Sequence, residues 1–404
     1  MKIFIILLIA TMGLDRVDLA GGNLNFRLTP YISFGFLFMV YLLIISAFQK
    51  RYLKFNKNVP TYLVLLTLFL LTLLCSVILS GDLILSFSRY VLLVFNITTS
   101  FLLVLSLNKN KEPIKLIVDA SKLGLILFLI FDFYQVLNFY FDYSITLNNY
   151  IDIVPPDYGG LAIRPSGFAS DMNLGAFALT VYTFLIYKFQ ERSVKKSIYL
   201  VLAILMMAAT LSRSGLLAFI LMVIFSYFID DRRINWKFIF KCILKSIILT
   251  LFLLIIVNYS VENMDNYFIL LNERMSLSSG DSGGVHFELM RRGMETFFKN
   301  PFFGAGFGAS YLDLNDIFDG NKYSNYHSLY ITLLAEGGLF TFFLCILILI
   351  IPLFFSEGKN IYKPLLVALI IFNIFYQSIL SPIFWIVLSF SWIGMAYRWR
   401  KISI

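Results

Sequence analysis

Uninterrupted apolar runs of roughly twenty residues recur along the whole chain, the length a helix needs to cross the hydrocarbon core of a bilayer. Thr61–Ser80 and Ile247–Val257 are apolar on every side. They lack the alternating polarity of a membrane β-strand, so their backbone groups must be satisfied within helices. Of 404 residues, 59% are hydrophobic and 14% charged, more apolar surface than one water-soluble core can hide. The chain therefore reads as an all-α, polytopic membrane protein. The runs place spans near 2–14, 30–48, 60–80, 86–107, 116–142, 173–187, 197–211, 214–229, 238–258, 328–355, 362–380 and 382–397, twelve in all.

The net charge of +9 would suggest a nucleic-acid partner in a soluble protein; here its placement is the message, and no nucleic acid is expected. Every second connection is basic: Lys50, Arg51, Lys54 and Lys57; Lys109, Lys111 and Lys115; Lys188, Arg192, Lys195 and Lys196; Arg232, Arg233, Lys237 and Lys241; Lys359 and Lys363. With the terminal Arg398, Arg400 and Lys401, the alternation puts these loops and both chain ends in the cytoplasm. Three regions follow: residues 1–257 with nine spans and a shorter outer loop near 143–172, a large outer loop at 258–327, and 328–404 with the last three spans. Met1–Ala10 with Lys2 can also be read as a signal-peptide core cleaved near Ala20. Cys75, Cys242 and Cys345 give neither a disulfide framework nor a metal-ligand spacing.

Long loops usually carry function, and the polar residues collect in the two outer ones. In the larger, Asp281-Ser282 is a candidate helix cap, and Phe287, Met290, Met294 and Phe297 recur at spacings of three and four up to Asn300-Pro301. The other face of this amphipathic helix carries Glu288, Arg291, Arg292, Glu295 and Lys299, which four-residue pairing alone could explain. Gly304-Ala-Gly306-Phe-Gly308 follows, where glycines allow close backbone approach, but no phosphate-loop lysine comes after it. Asp313, Asp316 and Asp319 read as solvated loop residues rather than a metal site.

His327 sits where this loop re-enters the membrane, and Glu336 lies about two helical turns further on, a costly place for a carboxylate. With an ordinary pKa near neutrality, His327 is either an interfacial cap or a general base. Tyr311, Tyr323, Tyr326 and Tyr330 around it suit sugar stacking or an interfacial belt. Arg89, Arg164 and Arg213 lie on or near the outer side, against the positive-inside bias, so an anionic partner is expected: lipid headgroups or a phosphorylated substrate held by planar guanidinium groups.

These residues resemble a known family. His286-Phe-Glu-Leu-Met-Arg-Arg-Gly-Met-Glu-Thr-Phe-Phe-Lys-Asn-Pro301-Phe-Phe-Gly-Ala-Gly306-Phe-Gly, then Tyr326-His327-Ser-Leu-Tyr330 and Leu334-Ala-Glu336-Gly-Gly338, resemble the C-terminal region shared by O-antigen polymerases and O-antigen ligases. Arg164-Pro-Ser-Gly-Phe-Ala-Ser-Asp-Met-Asn-Leu-Gly175, with ten residues between arginine and glycine, is similar to an outer-loop arginine motif of the polymerases. Thr210-Leu-Ser-Arg213-Ser-Gly215 is similar to a serine-arginine turn that both groups carry. One departure is His286, fifteen residues before Pro301, where the family often has arginine.

The resemblance implies a GT-C-like membrane glycosyltransferase that uses undecaprenyl-pyrophosphate-linked oligosaccharides in the phospholipid bilayer, without metal or other cofactor. It also implies a chain-length regulator as a possible partner. On that basis Arg213 and Arg292 are expected to stabilise the departing pyrophosphate and His327 to deprotonate the acceptor. Arg164, Arg291, His286, Glu336 and Tyr326 are the expected substrate-binding residues. The Arg164 motif favours a polymerase over a ligase. A lipid-linked sugar transporter is a reading of another class, disfavoured because no internal repeat is evident and the polar residues gather at one edge.

Overall fold

The computed structural model describes residues 1–20, 27–49, 58–141, 165–190, 193–229, 282–314, 325–355 and 361–394, together with positions 241, 244, 245 and 248. Among these residues the chain is helical and contains no strand. In chain order the helices are α1 (Lys2–Thr11), α2 (Pro30–Gln49), α3 (Asn58–Ile78), α4 (Leu83–Asn108), α5 (Pro113–Phe141), α6 (Met172–Phe189), α7 (Val194–Ala209) and α8 (Arg213–Ile229). They continue with α9 (Ser282–Lys299), α10 (Ser310–Leu314), α11 (Leu329–Thr332), α12 (Gly338–Phe355), α13 (Lys363–Phe372) and α14 (Pro382–Ile393). Four helical stretches among the described residues are long and apolar enough to cross a bilayer: Val59–Ile78, Leu83–Asn108, Met172–Phe189 and Leu329–Phe354. The expected span at 238–258 lies almost wholly outside the described residues.

Aromatic residues tie the bundle together. Tyr62 of α3 stacks on Trp392 of α14 at 5.0 Å, Tyr362 on Phe390 at 4.8 Å, and Phe177 of α6 on Phe372 of α13 at 4.5 Å. The α1 helix packs on α5 and α2, and its Ile9 and Ala10 carbonyls accept hydrogen bonds from the buried Tyr182 hydroxyl. Meanwhile Leu43, Val64, Ile84, Phe133 and Phe354 point outward, as a chain solvated by lipid requires.

Two expected spans are broken. The run 328–355 is interrupted at Leu333–Gly337 by a single π-turn, after which Gly338 takes φ +72° and α12 starts afresh. The cause is bonding to other segments: the Ala335 and Glu336 carbonyls accept from the Ala305 and Gly306 amides at 2.8 and 3.1 Å, and Ser76 Oγ also donates to Glu336 O. Those oxygens are committed to another segment. The run 362–380 ends its helix at Phe372. There the Asn373 side chain donates to Leu369 O and accepts from the Ser378 amide and hydroxyl, closing a turn that replaces the helical ladder.

Candidate functional site

The glycine-rich turn after α9 wraps a buried carboxylate. Glu336 is 3% exposed, and its two oxygens accept from the backbone amides of Gly308 at 2.8 Å and Ser310 at 3.2 Å. Arg89 donates to Gly308 O at 2.7 Å, so its guanidinium braces the turn from below. The turn needs glycine for contact as well as for conformation. Gly304 has φ +73° and a Cβ there would lie 2.2 Å from the Glu336 carbonyl; at Gly308, with φ +77°, it would lie 2.5 Å from Arg89 Cδ. Glu336 and Arg89, expected to meet substrate or lipid, are thus committed to holding this turn on the π-turn.

Helix α9 forms where expected, but its packed face is offset from the expected one. Leu289, Gly293 and Thr296 are buried against Tyr326, Ile331 and Ala335, whereas Phe287 is 77% exposed. Gly293 permits that approach, since a Cβ would lie 2.4 Å from Ile331 Cγ2. Tyr326, expected to face sugar, is 1% exposed and belongs to this small core. Tyr330 donates to Ile370 O at 2.9 Å.

The packing brings the two histidines together. The His286 and His327 rings meet edge to face with centroids 4.3 Å apart. His327 has φ +52°, uncommon for a residue with a side chain, and its amide is held by Asn325 Oδ1 at 2.9 Å. Burial, reinforced by His286, lowers its pKa to about 4. The ring is therefore neutral throughout the mild pH range, not half-protonated near neutrality as its ordinary value implies.

Arg291 and Arg292 share two carboxylates on their own helix. Arg291 grips Glu288 with Nε at 2.8 Å and Nη2 at 2.5 Å, and also reaches Glu295. Arg292 reaches Glu288 at 3.2 Å and Glu295 at 3.5 Å. The hydrogen bond from Arg291 chiefly lowers the Glu288 pKa to about 2, and two arginines are matched here by two glutamates on the same helix.

Arg213 opens α8 on a different kind of support. Leu211 takes φ +50° to make the turn, and Ser212 Oγ accepts the Gly215 amide at 3.1 Å as an N-cap. Ser212 Oγ also donates to Asn173 Oδ1 at 2.7 Å, and Ser214 Oγ does so at 3.4 Å. A Cβ on Gly215 would lie 2.4 Å from Ala176 Cβ, so the turn rests directly on α6. The Arg213 side chain is exposed.

Asn173 belongs to the segment that follows Arg164; Arg164 itself, like Tyr323, Asp316 and Asp319, lies outside the described residues. From residue 165 onward that segment is pinned in place. Asp132 Oδ1 accepts the Gly167 amide at 2.5 Å and Gln135 Oε1 the Ser166 amide at 3.0 Å. Arg16 donates twice to Ser170 O, at 3.1 and 2.6 Å. Beside it, burial pushes the Asp15 carboxyl up to about 7 against the pull of Arg27 and Arg16. The sequence reading passed over Asn173, Asp132, Gln135 and Arg16, although a carboxylate and an amide one helical turn apart in an apolar run were a usable signal.

The two halves are joined through the broken span, since the Leu329 amide, two residues after His327, donates to both Asn373 O and Tyr376 O at 3.0 Å. Tyr376 in turn bonds Ser170 through its side chain and feels the charges of Asp171 and Arg16. The His327 loop, the 165–175 segment and the Arg213 turn are therefore linked by named contacts at one end of the bundle. Among the described residues no group of three His, Cys, Asp or Glu is placed to hold a metal ion.

Among the described residues these features define a helical membrane protein that presents arginines and a histidine pair on a framework of short turns. Residues 198–346 match the family described as O-antigen ligase, which is consistent with the superfamily of O-antigen polymerases and ligases. The match takes in Arg213, His286, Arg291, Arg292, Tyr326, His327 and Glu336, and leaves out Arg16, Arg89, Arg164 and Asn173. No curated protein matches the chain.

Proposed function

We propose that the protein is an O-antigen polymerase that joins undecaprenyl-pyrophosphate-linked repeat units at the outer face of the bacterial inner membrane. Its twelve spans put both termini in the cytoplasm, residues 258–327 outside, and the catalytic groups at the outer membrane surface. The observation that carries this reading is the bond from Ser212 to Asn173, which fastens the Arg213 turn to the segment that follows Arg164. The Arg213 turn and the segment after Arg164, far apart in sequence, are thereby supported on the same end of α6.

In the proposed reaction the bond between the donor's anomeric carbon and its pyrophosphate oxygen breaks, and a glycosidic bond forms to a hydroxyl of the acceptor unit. Charge develops on the leaving pyrophosphate, where Arg213 and Arg292, with Arg291 and Arg164 near the carrier, stabilise it. The acceptor hydroxyl passes its proton to His327. A pKa near 4 keeps this imidazole unprotonated and able to accept, although it makes a weak base that engages only as the hydroxyl becomes acidic in the transition state. His286 orients the ring. Because guanidinium groups supply the positive charge, turnover should persist in excess chelator.

A ligase that passes finished polymer to lipid A-core is the second reading, favoured by the description of the matched family. Deleting the gene and resolving lipopolysaccharide on a silver-stained gel separates the two. Core bearing a single repeat unit is the expected result. Bare core, with polymer accumulating on the polyprenyl carrier, would mean the ligase, and an unchanged ladder would remove both.

A further inference from the structure

We infer that α9 is an interfacial helix whose second apolar face is immersed in the acyl chains of the outer leaflet. Its surface divides into three sectors. One packs on the π-turn through Leu289, Gly293 and Thr296, and one carries the network of Arg291, Arg292, Glu288 and Glu295. Between them on the far side lie Met290 and Met294, half-buried, with Phe287 77% and Phe298 72% exposed. A stripe of this kind beside a charged one is how a helix lies in a membrane surface.

The neighbouring span identifies the occupant. Just past α9, Phe302 stacks on Phe340 of α12 at 6.2 Å and Phe303 packs tilted against it at 5.8 Å, and Phe340 and Phe343 are themselves outward-facing. The α9 stripe is therefore continuous with the lipid-facing side of the stretch Leu329–Phe354, which is long and apolar enough to cross the bilayer. Depth agrees: the 18 residues of α12 rise about 27 Å, close to the hydrocarbon thickness of about 30 Å, which puts Gly338 at the outer boundary. The bond from the Leu339 amide to Pro301 O at 2.8 Å fixes the end of α9 at that level. Acyl chains thus cover the phenylalanines while the arginine network stays among headgroups. This placement does not depend on which reaction the protein performs.

The test uses the full chain with Cys75, Cys242 and Cys345 replaced by alanine, carrying Phe287→Cys, Phe298→Cys or, on the charged sector, Lys299→Cys. Each is labelled with an environment-sensitive nitrobenzoxadiazole dye and reconstituted into phosphatidylcholine vesicles with or without nitroxide-bearing acyl chains. At 287 and 298 we expect blue-shifted emission, strong quenching by the lipid nitroxide and little by aqueous iodide; the label at 299 should behave in reverse. Iodide quenching at all three positions would overturn the placement. So would energy transfer between copies at 298, which would mean that a second copy covers the stripe.

Discussion

The arginines of α9 and the arginine at the head of α8 stand on different kinds of support. Arg291 and Arg292 spend their charge on Glu288 and Glu295 of the same helix, and Arg291 is 54% exposed to solvent that screens it further. Arg213 stands exposed on a turn whose serines are fastened to another helix by Asn173. A cation useful for a departing pyrophosphate must be held in place before the charge arrives. By that measure Arg213, whose turn is fastened to a second helix, is the stronger candidate, and Arg292 must share carboxylates to act.

The largest expected effect breaks this comparison directly. Arg213→Ala should lower the rate of polymer formation from purified lipid-linked repeat units by on the order of a hundredfold or more. Arg213→Lys should restore only part of it, because an ammonium lacks the planar fork. Loss of activity in Arg291→Ala as severe as in Arg213→Ala would reverse the ranking.

Next in size is the pH dependence at the histidine pair. His327→Ala should cost on the order of a hundredfold. Because its folded pKa is lowered to about 4, the wild-type rate should hold as pH falls past 6.5 and fail only as His327 protonates near 4. The same sign makes folding less favourable over that window, since an unfolded chain takes up the proton near 6.5 first, so unfolding must be followed alongside rate. His286→Ala removes the lesser of the two causes of the depression and should move the acid limb upward without returning it to 6.5. A limb near 6.5 in the unmodified protein would remove the buried-histidine assignment.

A third effect concerns stability rather than chemistry. Gly304→Ala forces a side chain at φ +73° into the Glu336 carbonyl and should cost at least about 2 kcal/mol, seen as a lower thermal midpoint in detergent. Ala305 already carries a side chain in the same turn, so Ala305→Gly is the control and should change little.

Helix content, the placement of most helices and the amphipathic stretch were legible in the sequence because apolar runs and three-to-four spacing report directly on local periodicity. The breaks at Leu333–Gly337 and after Phe372 were not legible. They arise from carbonyls and an asparagine bonded to partners distant in sequence or within a turn, which no hydropathy window registers. The offset of the α9 face has a similar origin. Its packed side is built on Gly293 and Thr296, small residues that a search for large apolar side chains passes over, while Phe287 and Phe298 wait for lipid. At the site, residue types were informative and neighbours were not: in sequence Glu336 and Arg89 look like groups that meet substrate or lipid, and in the structure they brace a glycine turn.

The smallest expected effect sharpens the opening comparison. Arg291 is exposed and paired within one helix, so Arg291→Ala should leave the thermal midpoint in detergent almost unchanged. Removing both carboxylates, Glu288→Gln with Glu295→Gln, releases two arginine charges onto one face of α9. If Arg292 serves the pyrophosphate, that double variant should tighten apparent binding of the anionic donor several-fold, an effect weakened by added salt. If the network is only a solvated helix face, donor affinity should stay unchanged while helix stability falls slightly. The contrast between the arginines would then stand without any catalytic contribution from α9, leaving Arg213 and the 165–175 segment to hold the donor.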